Sequence, residues 1–287
     1  MKVLVTGATG KLGSKVVKAL LNLIPLEDMA VSVRNPEKAE ELQVLGIEVR
    51  QADFDKSDTL DVAFSGIDRL LIISTDGDNE TRILQHNNAV TAAERAGVKF
   101  IAYTSVTNAT ESDLFLAPVH QATEEAIRKT GIPYSFLRNN WYLENEIASI
   151  QGVLEGAPWV TSAGSGKIGW ALKQDYAEAA AIVLAGKGHE NTIYELSGKA
   201  VTQEELVIAL GNVLKKKISL KQVTDEDYAN IMKNAGIPDE VLPMLVEIQK
   251  NIRGGSLEIE SEDFEKVLGR PYTPVEEGLE NIVKELL

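Results

Sequence analysis

Eight residues near the start of the chain, Thr6-Gly7-Ala8-Thr9-Gly10-Lys11-Leu12-Gly13, have the make-up of a turn that holds phosphate. Gly7 permits a sharp turn, Gly10 lets the backbone approach a pyrophosphate, and Gly13 allows close helix–strand packing. The flanking residues give the motif its meaning. Val3-Leu4-Val5-Thr6 reads as a buried strand, and Leu12, Val16, Val17, Leu20 and Leu21 recur at the spacing of a helix face. A diphosphate on that helix start meets unpaired N–H groups and the positive end of the helix dipole. The chemistry this predicts is dinucleotide binding.

The end of the second strand discriminates between dinucleotides. An NAD site carries a carboxylate there for the ribose 2′-hydroxyl. This chain has Val33-Arg34-Asn35-Pro36 instead. The guanidinium of Arg34 can clamp a 2′-phosphate that a carboxylate would repel, so the expected cofactor is NADPH. Asp53, just past the third strand, can accept from the adenine amino group, with Phe54 beside it. Ser74-Thr75-Asp76 ends the fourth strand at the edge where such sheets bind ligands. Each of these is an ordinary turn residue when taken alone; together they outline one crevice.

The elements that must position these groups alternate strand with helix. Ala30–Val33, Ile47–Arg50, Leu70–Ile73, Phe100–Tyr103 and Tyr134–Leu137 follow the first strand, and Thr192–Leu196 forms a seventh. Helical segments fill the gaps, including about 80–96 before Gly97 and about 119–130 before Gly131, glycine being an expected stop. Such alternation predicts an α/β protein with a doubly wound parallel sheet, a Rossmann fold. Residues 1–140, with the strand near 192–197, form the NADP-binding part. Residues 141–287 form most of a smaller C-terminal substrate lobe that shares the core. Gly152, Gly156, Gly164, Gly166 and Gly169 mark a loop-rich stretch between them.

Composition removes several function classes. The chain has no cysteine, and its three histidines (His86, His120 and His189) are too dispersed for a helix-borne metal pair. A net charge of −14 disfavours nucleic acid and anionic lipid as partners. The apolar run after Met1-Lys2 is too short for a secretory leader, and nothing approaches a membrane span. A cytoplasmic protein without membrane insertion is expected, acting on a small molecule. The residues fix no oligomeric state; a homodimer is allowed.

Thr-Gly-Ala-Thr-Gly-x-Leu-Gly, Val-Arg-Asn-Pro and Gln51-Ala52-Asp53 together resemble the atypical short-chain dehydrogenase/reductases of the NmrA-like kind. The likeness continues through Lys99–Ser105, Leu137-Arg138-Asn139-Asn140-Trp141-Tyr142 and Ala163–Lys167. It is strongest for the NAD(P)H:quinone oxidoreductase type 2 group and the related triphenylmethane reductases. The resemblance implies NADPH and direct hydride transfer to a quinone. It also implies that Ser74-Thr75-Asp76 and the segment 139–144 border the nicotinamide half of the cofactor, and Thr104, Ser105, Asn139, Asn140 and Trp141 are expected among the cofactor contacts. Aromatic faces suit a flat acceptor, and Trp141 and Tyr142 are the expected contacts, in preference to Trp159 and Trp170. Lys167, in a glycine-flanked turn, is left open between cofactor contact and no contact.

The chain departs from the wider superfamily in its acid/base residues. None of its seven tyrosines (Tyr103, Tyr134, Tyr142, Tyr176, Tyr194, Tyr228 and Tyr272) is followed four residues later by lysine. That arrangement is what lowers a tyrosine pKa for proton transfer. By position, His120 stands where related proteins carry the lysine, and Leu116 where they carry the tyrosine. His120 is read as a helix-start histidine facing solvent, with proton donation to the acceptor as the alternative. Epimerase, alcohol dehydrogenase, isomerase and dehydratase chemistry are disfavoured. The function expected is reduction of a quinone-like or other flat acceptor by NADPH. A non-catalytic NADP(H)-sensing regulator of the NmrA-like kind is the alternative.

Overall fold

The computed structural model describes residues 1–287. Its centre is a seven-stranded sheet made of β1 (Val3–Thr6), β2 (Met29–Val33), β3 (Glu48–Gln51), β4 (Arg69–Ile72), β5 (Phe100–Val106), β6 (Tyr134–Asn139) and an edge strand, Thr192–Leu196. Across the sheet the order is edge strand, β6, β5, β4, β1, β2, β3, with every pairing parallel. The order reverses beside β1, so the crevice opens above its carboxyl end, as in doubly wound sheets generally. The strands begin within one residue of their expected starts; β5 and β6 run two or three residues further, through polar Thr104, Ser105, Arg138 and Asn139.

Helices α1 (Gly13–Leu20), α2 (Glu40–Val44), α3 (Ser57–Phe64), α4 (Asn79–Arg95) and α5 (Ala117–Thr130) return the chain between strands. Parallel pairing requires such crossovers. The Asp78 side chain caps α4 by accepting from the Thr81 N–H, and Gly131, at φ 70°, ends α5 in the left-handed region. Alternate residues of β1 serve opposite faces. Val3 and Val5 pack with Val16, Val17 and Leu20 of α1, whereas Leu4 packs with Leu60, Phe64 and Ala93 of α3 and α4. Burying each such aliphatic side chain contributes about 1.5–3 kcal/mol, so the sheet is a rigid platform for the loops at its edge.

Beyond β6 come α6 (Ile147–Leu154), α7 (Lys173–Ala185), α8 (Gln203–Leu214), α9 (Asp225–Asn234), α10 (Leu242–Arg253), α11 (Asp263–Leu268) and α12 (Val275–Leu286). The stretch rich in glycine, expected to be loops, therefore includes one true helix, α6. Helix α7 packs along α1 and contributes Tyr176 and several alanines to the core on that side of the sheet. A separate apolar cluster joins Ile150, Trp159, Trp170, Leu206, Leu210, Ile252 and Leu279 beyond the sheet edge. No helix is long and apolar enough to cross a membrane.

Candidate active site

The glycine-rich turn has the geometry that phosphate binding requires. Gly7 has φ 61°, and its carbonyl accepts from the Gly10 N–H at 2.9 Å. A Cβ on Gly13 would lie 2.2 Å from the Gly7 oxygen, so α1 can start this close to β1 only with glycine there. Gly7, Thr9, Gly10 and Lys11 are exposed, whereas Ala8 and Leu12 anchor the turn in the core. At the start of α1, Ser14 N–H donates to the Gly10 carbonyl and Lys15 and Val16 N–H to that of Leu12, each at 3.0 Å, which leaves the Lys11, Leu12 and Gly13 amides for an anion.

Arg34 emerges exposed at the end of β2, and no hydrogen bond or ion pair engages its guanidinium. Its carbonyl accepts from Gln51 at 3.2 Å, and Asn35 caps the turn that follows. Asp53 sits at the next strand end. Its carboxylate accepts from the Asp55 N–H and lies 3.7 Å from Lys56, while Phe54 is half-buried against the sheet.

Ser74-Thr75-Asp76 is held from beneath by a network of buried side chains. The Ser74 N–H donates to Thr104 Oγ1 at 2.9 Å, and Arg82 donates to Ser74 Oγ at 2.8 Å. The Thr75 N–H donates to His86 Nε2 at 3.0 Å, which makes that nitrogen an acceptor and puts the ring proton on Nδ1. Nδ1–H in turn donates to Thr123 Oγ1, whose own proton goes to the Val119 carbonyl. Arg82 also reaches His120 Nε2 at 3.4 Å, so His120 donates from Nδ1 to the Tyr103 hydroxyl at 2.8 Å. Both rings are neutral. Burial, reinforced by Arg82, lowers His86 to about 3 and holds His120 well below its ordinary value. Burial likewise raises Tyr103 above the usual range.

His120 therefore does not face solvent, contrary to the sequence reading; it is 5% exposed. Helix α5 begins at Ala117, and its inward stripe is Ala117, His120, Thr123, Glu124 and Ile127. That stripe has helical spacing, but its polar members hide it from a search for apolar residues.

The carboxyl end of β6 divides into structural and crevice residues. Arg138 makes a two-pronged ion pair with buried Glu124, at 2.9 and 2.8 Å, and a further one with Glu195 at 3.0 Å. Burial opposes the charge of Arg138, but the two carboxylates outweigh it and raise its pKa. Ser105 Oγ donates to the same Glu124, and the Asn140 amide donates to Ser197 Oγ and the Leu257 carbonyl. The Ser105 hydroxyl is thus occupied within the protein, whereas the buried Asn140 Oδ1 has no donor.

Asn139 is likewise incomplete. It donates to the Tyr142 hydroxyl at 3.0 Å, yet its buried Oδ1 has no donor. An acceptor left this way is costly unless a ligand amide or hydroxyl meets it, so this position fits a bound nicotinamide or ribose. Tyr142 packs edge-on against Tyr176, and burial pushes its hydroxyl up to about 12. Trp141 and Tyr142 are half-buried, whereas Trp159 and Trp170 lie fully in the core of the lobe. Lys167 pairs with Glu258 at 2.9 Å on the surface.

Four residues that matter here were not singled out from sequence. Arg82 and His86 carry the Ser74–Asp76 loop, and no local motif marks them. Glu146 accepts from Trp170 Nε1 at 3.1 Å, and burial raises its carboxyl to about 7. Lys173 opens α7, with its Nζ 5.0 Å from the centre of the Tyr142 ring. Each of the four meets its partner only in the fold.

The arrangement can seat a dinucleotide across the sheet edge, with a flat acceptor against its inner end. It provides no tyrosine or histidine primed to give up a proton. Known proteins share this architecture over their full length. The chain is 39% identical to quinone oxidoreductase 2 of Escherichia coli, over 97% of each. The solved NADPH complex of an E. coli NADPH-dependent quinone oxidoreductase superposes with a TM-score of 0.93, at 39% identity, over 98% of this chain and 99% of that one. Triphenylmethane reductase of Citrobacter sp., solved with NADP(H), gives 0.92 at 41% identity over 100% of both chains. The sequence profile of the NmrA-like family matches residues 1–277, which together with the shared fold makes the chain a member of the NmrA-like family.

Proposed function

We propose that the chain is a reductase that uses NADPH to reduce a quinone-like or other flat organic acceptor. The observation that carries this reading is the unpaired guanidinium of Arg34 at the end of β2, across the crevice from the glycine-rich turn. A free cation there selects a 2′-phosphate. The turn Gly7-Ala8-Thr9-Gly10-Lys11-Leu12-Gly13 takes the diphosphate, and Asp53 and Phe54 take the adenine. Ser74, Thr75, Asp76, Thr104, Asn139 and Asn140 border the nicotinamide, and the Ser105 hydroxyl is committed to Glu124. Trp141 and Tyr142 receive the acceptor, and residues 141–287 supply most of the lobe around it.

When bound, NADPH supplies a hydride. The protein's part is to hold the nicotinamide and acceptor face to face, where positioning alone contributes several kcal/mol. The neutral His86 and His120 and the high pKa of Tyr103 leave the final protonation to solvent. The 39% identity to a quinone oxidoreductase favours reduction over a purely sensory role. The test is purified protein with NADPH and a benzoquinone, followed at the nicotinamide absorbance. Consumption well above the protein-free rate supports the reading. Tight NADPH binding without consumption would return the protein to the regulators.

A further inference from the structure

We propose that Lys173 is a catalytic cation: its ammonium holds the oxygen anion that forms on the acceptor as hydride arrives. This rests on the reductase reading above. Lys173 is half-buried, yet its Nζ has no carboxylate within ion-pair distance and no hydrogen-bond acceptor; it lies 5.0 Å from the centre of the Tyr142 ring. Its backbone is nonetheless fixed. The Lys173 N–H donates to both carboxylate oxygens of Glu144, each at 3.0 Å, which ties the start of α7 to the segment after β6.

The surroundings leave a second group unmet. Tyr142, beneath the ammonium, is bonded to Asn139, whose side-chain oxygen is buried and without a donor although the residue is only 4% exposed. Unmet groups of opposite need, a cation and an acceptor, therefore flank one aromatic ring. Lys173 also opens a helix of 13 residues, where the dipole adds to its charge. The charged groups facing it are Glu144, Lys11 and Lys15 at the start of α1, and Asp76 after β4. Burial, with the two lysines, outweighs the carboxylates and lowers its pKa. An ammonium so placed gains most when an anion comes to it in a poorly solvated site.

The step balances as a two-electron reduction. The C4–H bond of the reduced nicotinamide breaks, its hydrogen and electron pair pass to the acceptor, and the oxidised nicotinamide remains. One carbonyl oxygen of the acceptor takes the negative charge, Lys173 stabilises it there, and a proton from water completes the hydroquinone.

Lys173→Met and Lys173→Arg are compared with wild type at saturating NADPH. The Met variant is expected to lose about 10²-fold in kcat/KM for benzoquinone, as when one oxyanion donor is removed. Its NADPH Kd should stay within about threefold, and Arg should restore most of the rate. Wild-type kcat/KM should fall at alkaline pH as the ammonium loses its proton, a limb absent from both variants. A readout free of turnover is titration of the NADP⁺-loaded protein with 4-nitrophenolate, which wild type should bind at least about tenfold more tightly than the Met variant. Equal phenolate affinity, or a Met variant with wild-type kcat/KM, overturns the proposal. So does a loss confined to NADPH affinity, which would make Lys173 a cofactor contact. If the wild type oxidises no NADPH but binds phenolate through Lys173, the reductase reading fails while the anion site stands.

Discussion

The Tyr103 hydroxyl lies 2.8 Å from His120 Nδ1 and accepts its proton, in a buried network that also includes His86 and Arg82. A tyrosine and a basic side chain in hydrogen-bond contact suggest a proton-transfer pair, but here both are neutral and both lie beneath the crevice floor. His120→Ala is expected to keep kcat/KM for a quinone within about tenfold of wild type. A positioned general acid contributes roughly 10²–10⁴-fold, so the two cases separate cleanly. The same variant should lose about 1–3 kcal/mol of stability, because Tyr103 loses its donor in the core. Urea denaturation and steady-state kinetics on one preparation check both expectations; a hundredfold activity loss in a stable variant would make His120 the proton donor after all.

The buried imidazoles also set a pH dependence of stability. In the unfolded chain His86 takes a proton near its ordinary pKa of 6.5; in the fold it does so only near about 3. Between those values the unfolded state binds more protons, so stability is full above about 6.5 and declines as pH falls towards 3. The slope approaches about 1.4 kcal/mol per pH unit for each such ring. Unfolding free energies measured from pH 7.5 to 4.5 should fall less steeply for His86→Asn than for wild type. Parallel slopes would mean that the ring is not held neutral.

Glu146 titrates in the opposite sense. Its carboxyl is raised by burial from an ordinary value of 4.5 to about 7. The native state keeps a proton that the unfolded chain releases, so this contribution is present at low pH and lost as pH rises through 4.5 to 7. Glu146→Gln should therefore stabilise the protein by about 1–3 kcal/mol at pH 8 and little at pH 4.5. Calorimetric Tm values at the two pH values test this, and an equal shift at both would contradict it.

Gly13→Ala is expected to destabilise the fold by about 1–3 kcal/mol or more, because its methyl would sit 2.2 Å from the Gly7 carbonyl oxygen. NADPH affinity should fall with it, since moving α1 distorts the turn proposed to take the diphosphate. A variant with unchanged Tm and NADPH Kd would show that the turn can open without cost.

How far the sequence reads ahead of the structure depends on whether a residue acts locally. Gly7 to Gly13, Arg34 and Asp53 sit at strand ends that apolar runs mark, so their places in the fold follow from position along the chain. The doubly wound parallel sheet follows too, because strands alternating with helices leave few alternatives. Polar interiors are where the reading stops. Arg138 looks like a crevice residue by its neighbours Asn139 to Tyr142, yet it belongs to a buried ion-pair cluster with Glu124 and Glu195, residues 14 and 57 positions away. His120 fails for the same reason. Lys173 and Glu146 gain their significance from Tyr142 and Trp170, which only the lobe's packing brings to them.

The most direct test of the whole account is the pair of cofactor affinities at Arg34. Kd values for NADPH and NADH are measured by fluorescence titration for wild type and Arg34→Glu. Wild type is expected to prefer NADPH, and the variant to weaken NADPH by about 10–100-fold, the worth of a charge-assisted contact, while NADH changes by less than about threefold. Equal losses for both cofactors, or an NADPH affinity untouched by the reversal of charge, would contradict it.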